Sequence, residues 1–175
     1  MSTLKVNSII PVSGVGTDST TLKNGGGITQ IKQVQKTNTF STTSSSFTDV
    51  TGLSVSITPT VNTNKILVLV ETNSSTTGGN NAVFRLMRDS TPIAIGDNDS
   101  NRPAASFQQR INDTNAAMNA SINFLDSPAT TSEVTYKVQT FSQSSGVHIN
   151  KTFSDTDSTV IARTFSSITV MEVSA

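Results

Sequence analysis

The sequence predicts an all-β protein: an antiparallel two-sheet β-sandwich, jelly-roll-like, with an extended N-terminal arm. Three observations carry this. Short runs alternate apolar and polar residues with a period of two, the signature of a half-buried strand. Thr, Val, Ser and Asn dominate while strong helix formers are sparse; β-branched residues suit a pleated sheet, and Ser and Asn favour turns. The runs are closely spaced and separated by turn signals, as in a sandwich or small barrel. A chain of 175 residues has the size of one domain, or of one domain with an appended segment.

Residues 1–27 stand apart from the rest. Leu4-Lys5-Val6-Asn7-Ser8-Ile9-Ile10 is a candidate extended strand. Pro11, Gly14 and Gly16 follow, and Asn24-Gly25-Gly26-Gly27 reads as a hinge, because glycine costs the most backbone entropy to order. Leu4, Val6, Ile9 and Ile10 have no neighbouring strand within the arm to bury against. They are the expected partner-binding residues, since an unpaired strand is a template for strand addition to another chain.

Residues 28–175 are then the sandwich domain. Gln30 to Thr39 carries Ile31 and Val34 among polar residues. Thr51 to Thr58 alternates cleanly, with Leu53, Val55 and Ile57 on one face, until Pro59 ends it. Ile66-Leu67-Val68-Leu69-Val70 is apolar on both faces, which predicts a central buried strand. Asn73 to Asn81 reads as a loop. Ala82 to Arg88 alternates again, Asp89-Ser90-Thr91-Pro92 is a turn, and Ile93 to Ile95 returns as a hairpin. Gly96 to Pro103 is a polar loop. Ala104, Phe107 and Ile111 have helical spacing, but composition favours an edge strand over Phe107 to Ile111. Met118 to Phe124, Glu133 to Phe141, Val147 to Phe153 and Ser167 to Val173 complete the set. The expected core is Leu53, Val55, Ile57, Ile66, Val68, Val70, Phe84, Leu86, Ile122, Phe124, Val138, Ile168 and Val170.

Composition also excludes functions. Lys plus Arg equals Asp plus Glu at 12 each, and a net charge of zero argues against an electrostatic nucleic-acid binder. The longest apolar run, Ile66 to Val70, is far short of the roughly 18 residues of a membrane span, and the opening residues show no apolar stretch of a signal peptide. There is no cysteine, hence no disulfide, thiolate nucleophile or zinc-thiolate site. His148, the only histidine, is expected as a solvent-facing strand residue rather than a catalytic base. The acidic loops at Asp97-Asn98-Asp99 and Asp155-Thr156-Asp157 could offer oxygens to a hard cation, but Asp and Asn are also ordinary turn residues. Sugar faces usually stack on Trp or Tyr. Trp is absent and Tyr136 is the only Tyr; Tyr136 and the eight Phe residues are expected in the core. No residues are assigned to catalysis, a cofactor or a metal.

Several segments, taken in order, resemble one class of proteins. They are Met1-Ser2-Thr3-Leu4-Lys5-Val6-Asn7-Ser8-Ile9, the stretch Phe40 to Leu53, Asn64-Lys65-Ile66-Leu67-Val68, Phe84-Arg85-Leu86-Met87-Arg88-Asp89-Ser90, Phe124-Leu125-Asp126-Ser127-Pro128 and Ser167 to Val173. Together they resemble virion structural proteins of marine, cyanophage-like bacteriophages, of the tail-fibre and surface-appendage type. The resemblance implies a non-enzymatic protein located in the virion. It implies a homotrimer that also contacts tail, portal or capsid proteins. A capsid decoration protein and a carbohydrate-binding module for a host surface glycan are the alternatives.

Overall fold

The computed structural model describes residues 27–76 and 79–175. The candidate anchoring residues Leu4, Val6, Ile9 and Ile10, and residues 24–26 of the hinge, lie outside the described residues. The described chain is built of eleven strands: β1 (Ile28–Lys36), β2 (Phe40–Thr42), β3 (Thr48–Ile57), β4 (Lys65–Thr76), β5 (Asn81–Arg88), β6 (Thr91–Ile93), β7 (Phe107–Arg110), β8 (Met118–Asp126), β9 (Val134–Ser142), β10 (Val147–Ile149) and β11 (Ser166–Val173). All pairings among these strands are antiparallel. No helix occurs among the described residues.

The strands form two sheets, the expected sandwich. The first has six strands in the order β1-β11-β4-β10-β2, with β8 on the other side of β4. The second has five, in the order β3-β9-β5-β6, with β7 also on β5. The long strand β4 organises the first sheet. Its first half, Lys65 to Glu71, pairs with β11, while its last three residues, Ser74 to Thr76, pair with β10. This extension corrects the expectation of a loop from residue 73. Ser74, Ser75 and Thr76 look like loop residues by composition, yet all three are buried, and their hydroxyls find partners inside the protein.

Apolar side chains meet between the sheets in the pattern that period two dictates. Ile66, Val68 and Val70 of β4 and Ile168 and Val170 of β11 face Leu53, Val55 and Ile57 of β3 and Tyr136 and Val138 of β9 in one cluster. Burying each such side chain fully stabilises the fold by about 1.5–3 kcal/mol. Ile122 and Phe124, on the outer strand β8, pack against this cluster but are only partly buried. The apolar pentad of β4 is central, as expected, but only one of its faces is sealed. Leu67 and Leu69 point outward and are half-buried. The Phe residues also divide. Phe84 is buried in the cluster, and Phe40, Phe107 and Phe124 pack against it. Phe47, Phe141 and Phe153 are half-buried outside it, and Phe165 is 48% exposed.

Element bounds shift for local reasons. Asp89 takes φ 50°, so a two-residue turn joins Arg88 directly to Thr91, and β6 starts two residues before the expected Ile93. Gly52, at φ 83°, sits where the β3–β9 register shifts between Asp49 and Ser54, a bulge that a side chain would strain. β2 was hidden in the Ser/Thr-rich stretch after Phe40. β10 is only three residues long, because Asn150 turns away at φ 63°.

Candidate functional site

The sandwich has two distinct ends. At one, the chain enters and the last strand finishes. Gly27 N–H donates to Ser174 Oγ at 2.9 Å, and Ser174 N–H donates back to Gly27 O at 3.0 Å. The described chain therefore starts at this corner. Two buried carboxylates brace it. Glu172 is fully buried. It accepts hydrogen bonds from Gln30 Nε2 at 2.6 Å and from Thr60 N–H, Thr60 Oγ1 and Asn64 Nδ2 at 2.7 Å each. Burial opposes its ionisation, but the bonds from Asn64, Gln30 and Thr60 outweigh that and pull its pKa to about 2. Asp126 joins the sheets: Arg88 Nη1 donates to both of its oxygens at 2.9 and 3.0 Å, and the buried Tyr136 hydroxyl donates to Oδ2 at 2.7 Å. Burial first, and then that bond to Asp126, hold the Tyr136 phenol far above its ordinary value.

The opposite end carries a recess of 210 Å³ on the outside of the second sheet, lined by Asn81, Val83, Asn101, Pro103, Gln108, Phe141 and Gln143. Its position follows from register. Asn81 and Val83 of β5 point outward on alternate residues, and Gln108 of β7 lies opposite Val83. Three amides form a ladder across it: Gln108 Nε2 donates to Asn81 Oδ1 at 3.3 Å, and Asn81 Nδ2 donates to Gln143 Oε1 at 3.2 Å. Each amide has both donors and an acceptor, so the ladder keeps free capacity toward solvent. Phe141 forms one wall and is met edge-on by Phe47, with ring centroids 4.8 Å apart.

Behind the aromatic pair runs a charged row. The Arg85 guanidinium lies 3.9 Å from the Phe47 ring centre and donates through Nε to Gln139 at 2.8 Å. Gln139 and Lys137 both donate to Asp49, at 2.6 and 2.8 Å. Burial opposes ionisation of Asp49, yet the bonds from Lys137 and Gln139, with the charges of Lys137 and Arg85, hold its pKa below the ordinary range. Burial lowers the Arg85 pKa, opposed by Asp49. The row carries two cations, Arg85 and Lys137, around one carboxylate, Asp49, and the recess beside it is lined by neutral groups. Amides on an aromatic wall suit a neutral, hydroxyl-rich ligand, which offers donors and acceptors together with apolar C–H faces.

The other candidates resolve differently. His148 is half-buried, a correction to its expected solvent-facing position. Ser41 Oγ lies 2.8 Å from its Nδ1, and its ring meets Phe153 edge-on. Burial, and then the charge of Lys151, lower its pKa. Its Nε2 is buried without a partner among the described residues, so no carboxylate orients the ring as a serine-activating base requires. In the acidic loop at residue 155, Asp155 is shared by Lys151 at 3.5 Å and Arg163 at 2.9 Å. Two cations thus already neutralise the carboxylate on which a hard cation would depend. Asp99 pairs with Arg102 across the other loop. Among the described residues no three His, Asp or Glu groups converge as a metal site would need.

The amide ladder was missed in the sequence because its members come from three separated segments, each reading as a plain polar stretch. The one usable signal was Phe141 at the end of an alternating run, on the face opposite Val138.

No protein-family model matches this chain, and no curated protein sequence matches it. Among solved structures it is similar to the infectious bursal disease virus VP2 subviral particle, at 12% identity and a TM-score of 0.36. That alignment covers 83% of this chain and 38% of the VP2 chain.

Proposed function

We propose that the protein is a bacteriophage virion structural component, non-enzymatic, of the short tail-fibre or surface-appendage type. Residues 1–27 hold it on the particle, and the recess at the far end meets a neutral glycan on the host surface. The observation that carries this is the opposition of the two ends: the chain leaves the sandwich beside Ser174, and the amide recess lies at the other end. That layout suits a head on a stalk better than a protein laced flat across capsid subunits. The non-enzymatic part is supported by the engagement of Glu172, Asp126 and Asp155 in internal bonds.

Three measurements test the reading. Deleting residues 1–27 is expected to leave a folded β-rich protein that is absent from purified particles; incorporation at normal levels overturns the anchoring role. Full-length protein on a glycan array is expected to bind neutral sugars, with Gln108→Ala lowering the signal. Binding that is indifferent to Gln108→Ala overturns the recess as the contact. A copy number of hundreds per particle, rather than tens, would move the assignment to capsid decoration.

A further inference from the structure

The outer face of the first sheet is unlike the rest of the surface. Register places Ile31 opposite Met171, Met171 opposite Leu67, and Leu67 opposite Leu125. These four make one straight apolar row across β1, β11, β4 and β8. Ile31 is 58% exposed and Leu125 47%, while Leu67 and Met171 are half-buried. Leu69, the next outward residue of β4, lines a recess of 280 Å³ beside the row. The residues level with Leu69 on neighbouring strands, Thr169, Gln33 and Asn123, are polar but uncharged.

Charge on this face is confined to the middle strand. Over the first seven residues of β4 the outward series reads Lys65, Leu67, Leu69 and Glu71, by the alternation of a strand, before the uncharged Asn73 and Ser75. Lys65 and Glu71 are exposed, and neither has an ion-pair partner among the described residues. Six residues of strand separate them by about 20 Å, so they cannot pair with each other. The order is symmetric about Val68: a leucine one residue to each side, and opposite charges three residues to each side. A half-turn about an axis above Val68, midway between two stacked sheets and perpendicular to β4, brings lysine over glutamate and Leu67 over Leu69 of the second copy.

We infer that this face is an isologous interface on which a second copy of the chain stacks, sheet against sheet. The two copies of β4 run antiparallel across it. The leucines of both copies meet at the centre, and Lys65 of each copy faces Glu71 of the second copy at the two ends. Sheets stacked this way lie about 10 Å apart, a spacing that long side chains such as Lys and Glu can bridge. Charge depletion at the centre with an uncharged polar surround is the composition expected of an interface core. The homotrimer implied by the sequence resemblance needs a heterologous contact to close a ring, whereas this charge order matches itself under a two-fold operation.

A charge swap tests the inference on the full chain by analytical ultracentrifugation. Wild-type protein is expected to be a dimer, or an assembly of dimers, at micromolar concentration. Lys65→Glu alone, or Glu71→Lys alone, places like charges face to face and is expected to weaken association about tenfold or more. The double variant Lys65→Glu/Glu71→Lys is expected to return to near wild-type affinity, because the swapped charges again oppose. Far-UV circular dichroism of each variant checks that the sandwich is intact. A wild-type monomer at micromolar concentration overturns the inference. So does a trimer indifferent to the single variants, or a double variant no tighter than the singles.

Discussion

In the first sheet, the end where Gly27 meets Ser174 is tied through the carboxylate of Glu172; the opposite end is tied through the neutral amide of Asn150. Glu172 gathers β1, β11 and the loop before β4 with four hydrogen bonds. Its counterpart is Asn150, also fully buried. The Asn150 amide donates to Lys36 O at 2.8 Å and Asn38 O at 3.0 Å, and its oxygen accepts from Ser166 Oγ at 2.7 Å. Both residues satisfy their groups completely, so neither leaves the desolvation cost of an unpaired polar atom. The difference lies in what each responds to. A carboxylate bond set fails on protonation, and an amide set does not. The entry end should therefore loosen in strong acid while the Asn150 ties persist.

The largest expected effect tests the core both ends share. Val68→Asp puts a charge without a partner into the centre of β4 and should cost about 5 kcal/mol. No cooperative unfolding transition should remain in circular dichroism, and a protein that still melts cooperatively would contradict the packing described.

Glu172→Gln sharpens the contrast between the ends. Loss of bonds to a charged acceptor should cost about 1.5–3 kcal/mol at neutral pH. The pH dependence has a definite sign. The folded pKa of about 2 lies below the ordinary 4.5, so the stabilisation is complete above that ordinary value. It is lost as pH falls from there through the folded pKa. Urea titrations of wild type should show this decline, and the glutamine variant should flatten it.

Asn150→Ala should cost about 2 kcal/mol by the same titration, with equal loss at pH 7 and pH 3. A strongly pH-dependent loss would break the distinction between the ends. Gly146→Ala is smaller, at about 1–2 kcal/mol. The residue sits at φ 102°, where a side chain is strained, and an added methyl would lie 3.4 Å from His148 Nε2.

The smallest effect belongs to His148, the group near the recess end that does respond to mild acid. Its folded pKa is lowered from 6.5, so its contribution is present above that value and fades as pH falls below it. His148→Gln should remove a shallow stability slope just below neutrality and leave the steeper acid loss of Glu172 intact.

Much of the fold was legible because period two is a strong signal where apolar residues carry it. Leu53, Val55 and Ile57 could only be a strand with one face in a core. The signal failed where Ser and Thr do the same work. Ser74, Ser75, Thr76 and the residues of β2 lie in strands, but their hydroxyls read as loop chemistry until their partners are known. Glu172 was hidden differently: it follows the alternation of β11 from the buried side, a place where sequence expects an apolar residue. The donors that make it tolerable come from Gln30, Thr60 and Asn64, more than 100 positions away in the chain. The recess was illegible for the same reason, since nothing local joins Asn81, Gln108 and Gln143.

The hydrogen bonds between Gly27 and Ser174 bring the two ends of the sandwich together at one corner. A module of that kind can be spliced between two adjacent residues of another protein's surface loop without forcing the host backbone apart. It needs no stretch of linker to bring its ends back together. The sandwich is thereby portable, able to ride as an inserted cassette on a longer protein while its far end stays open.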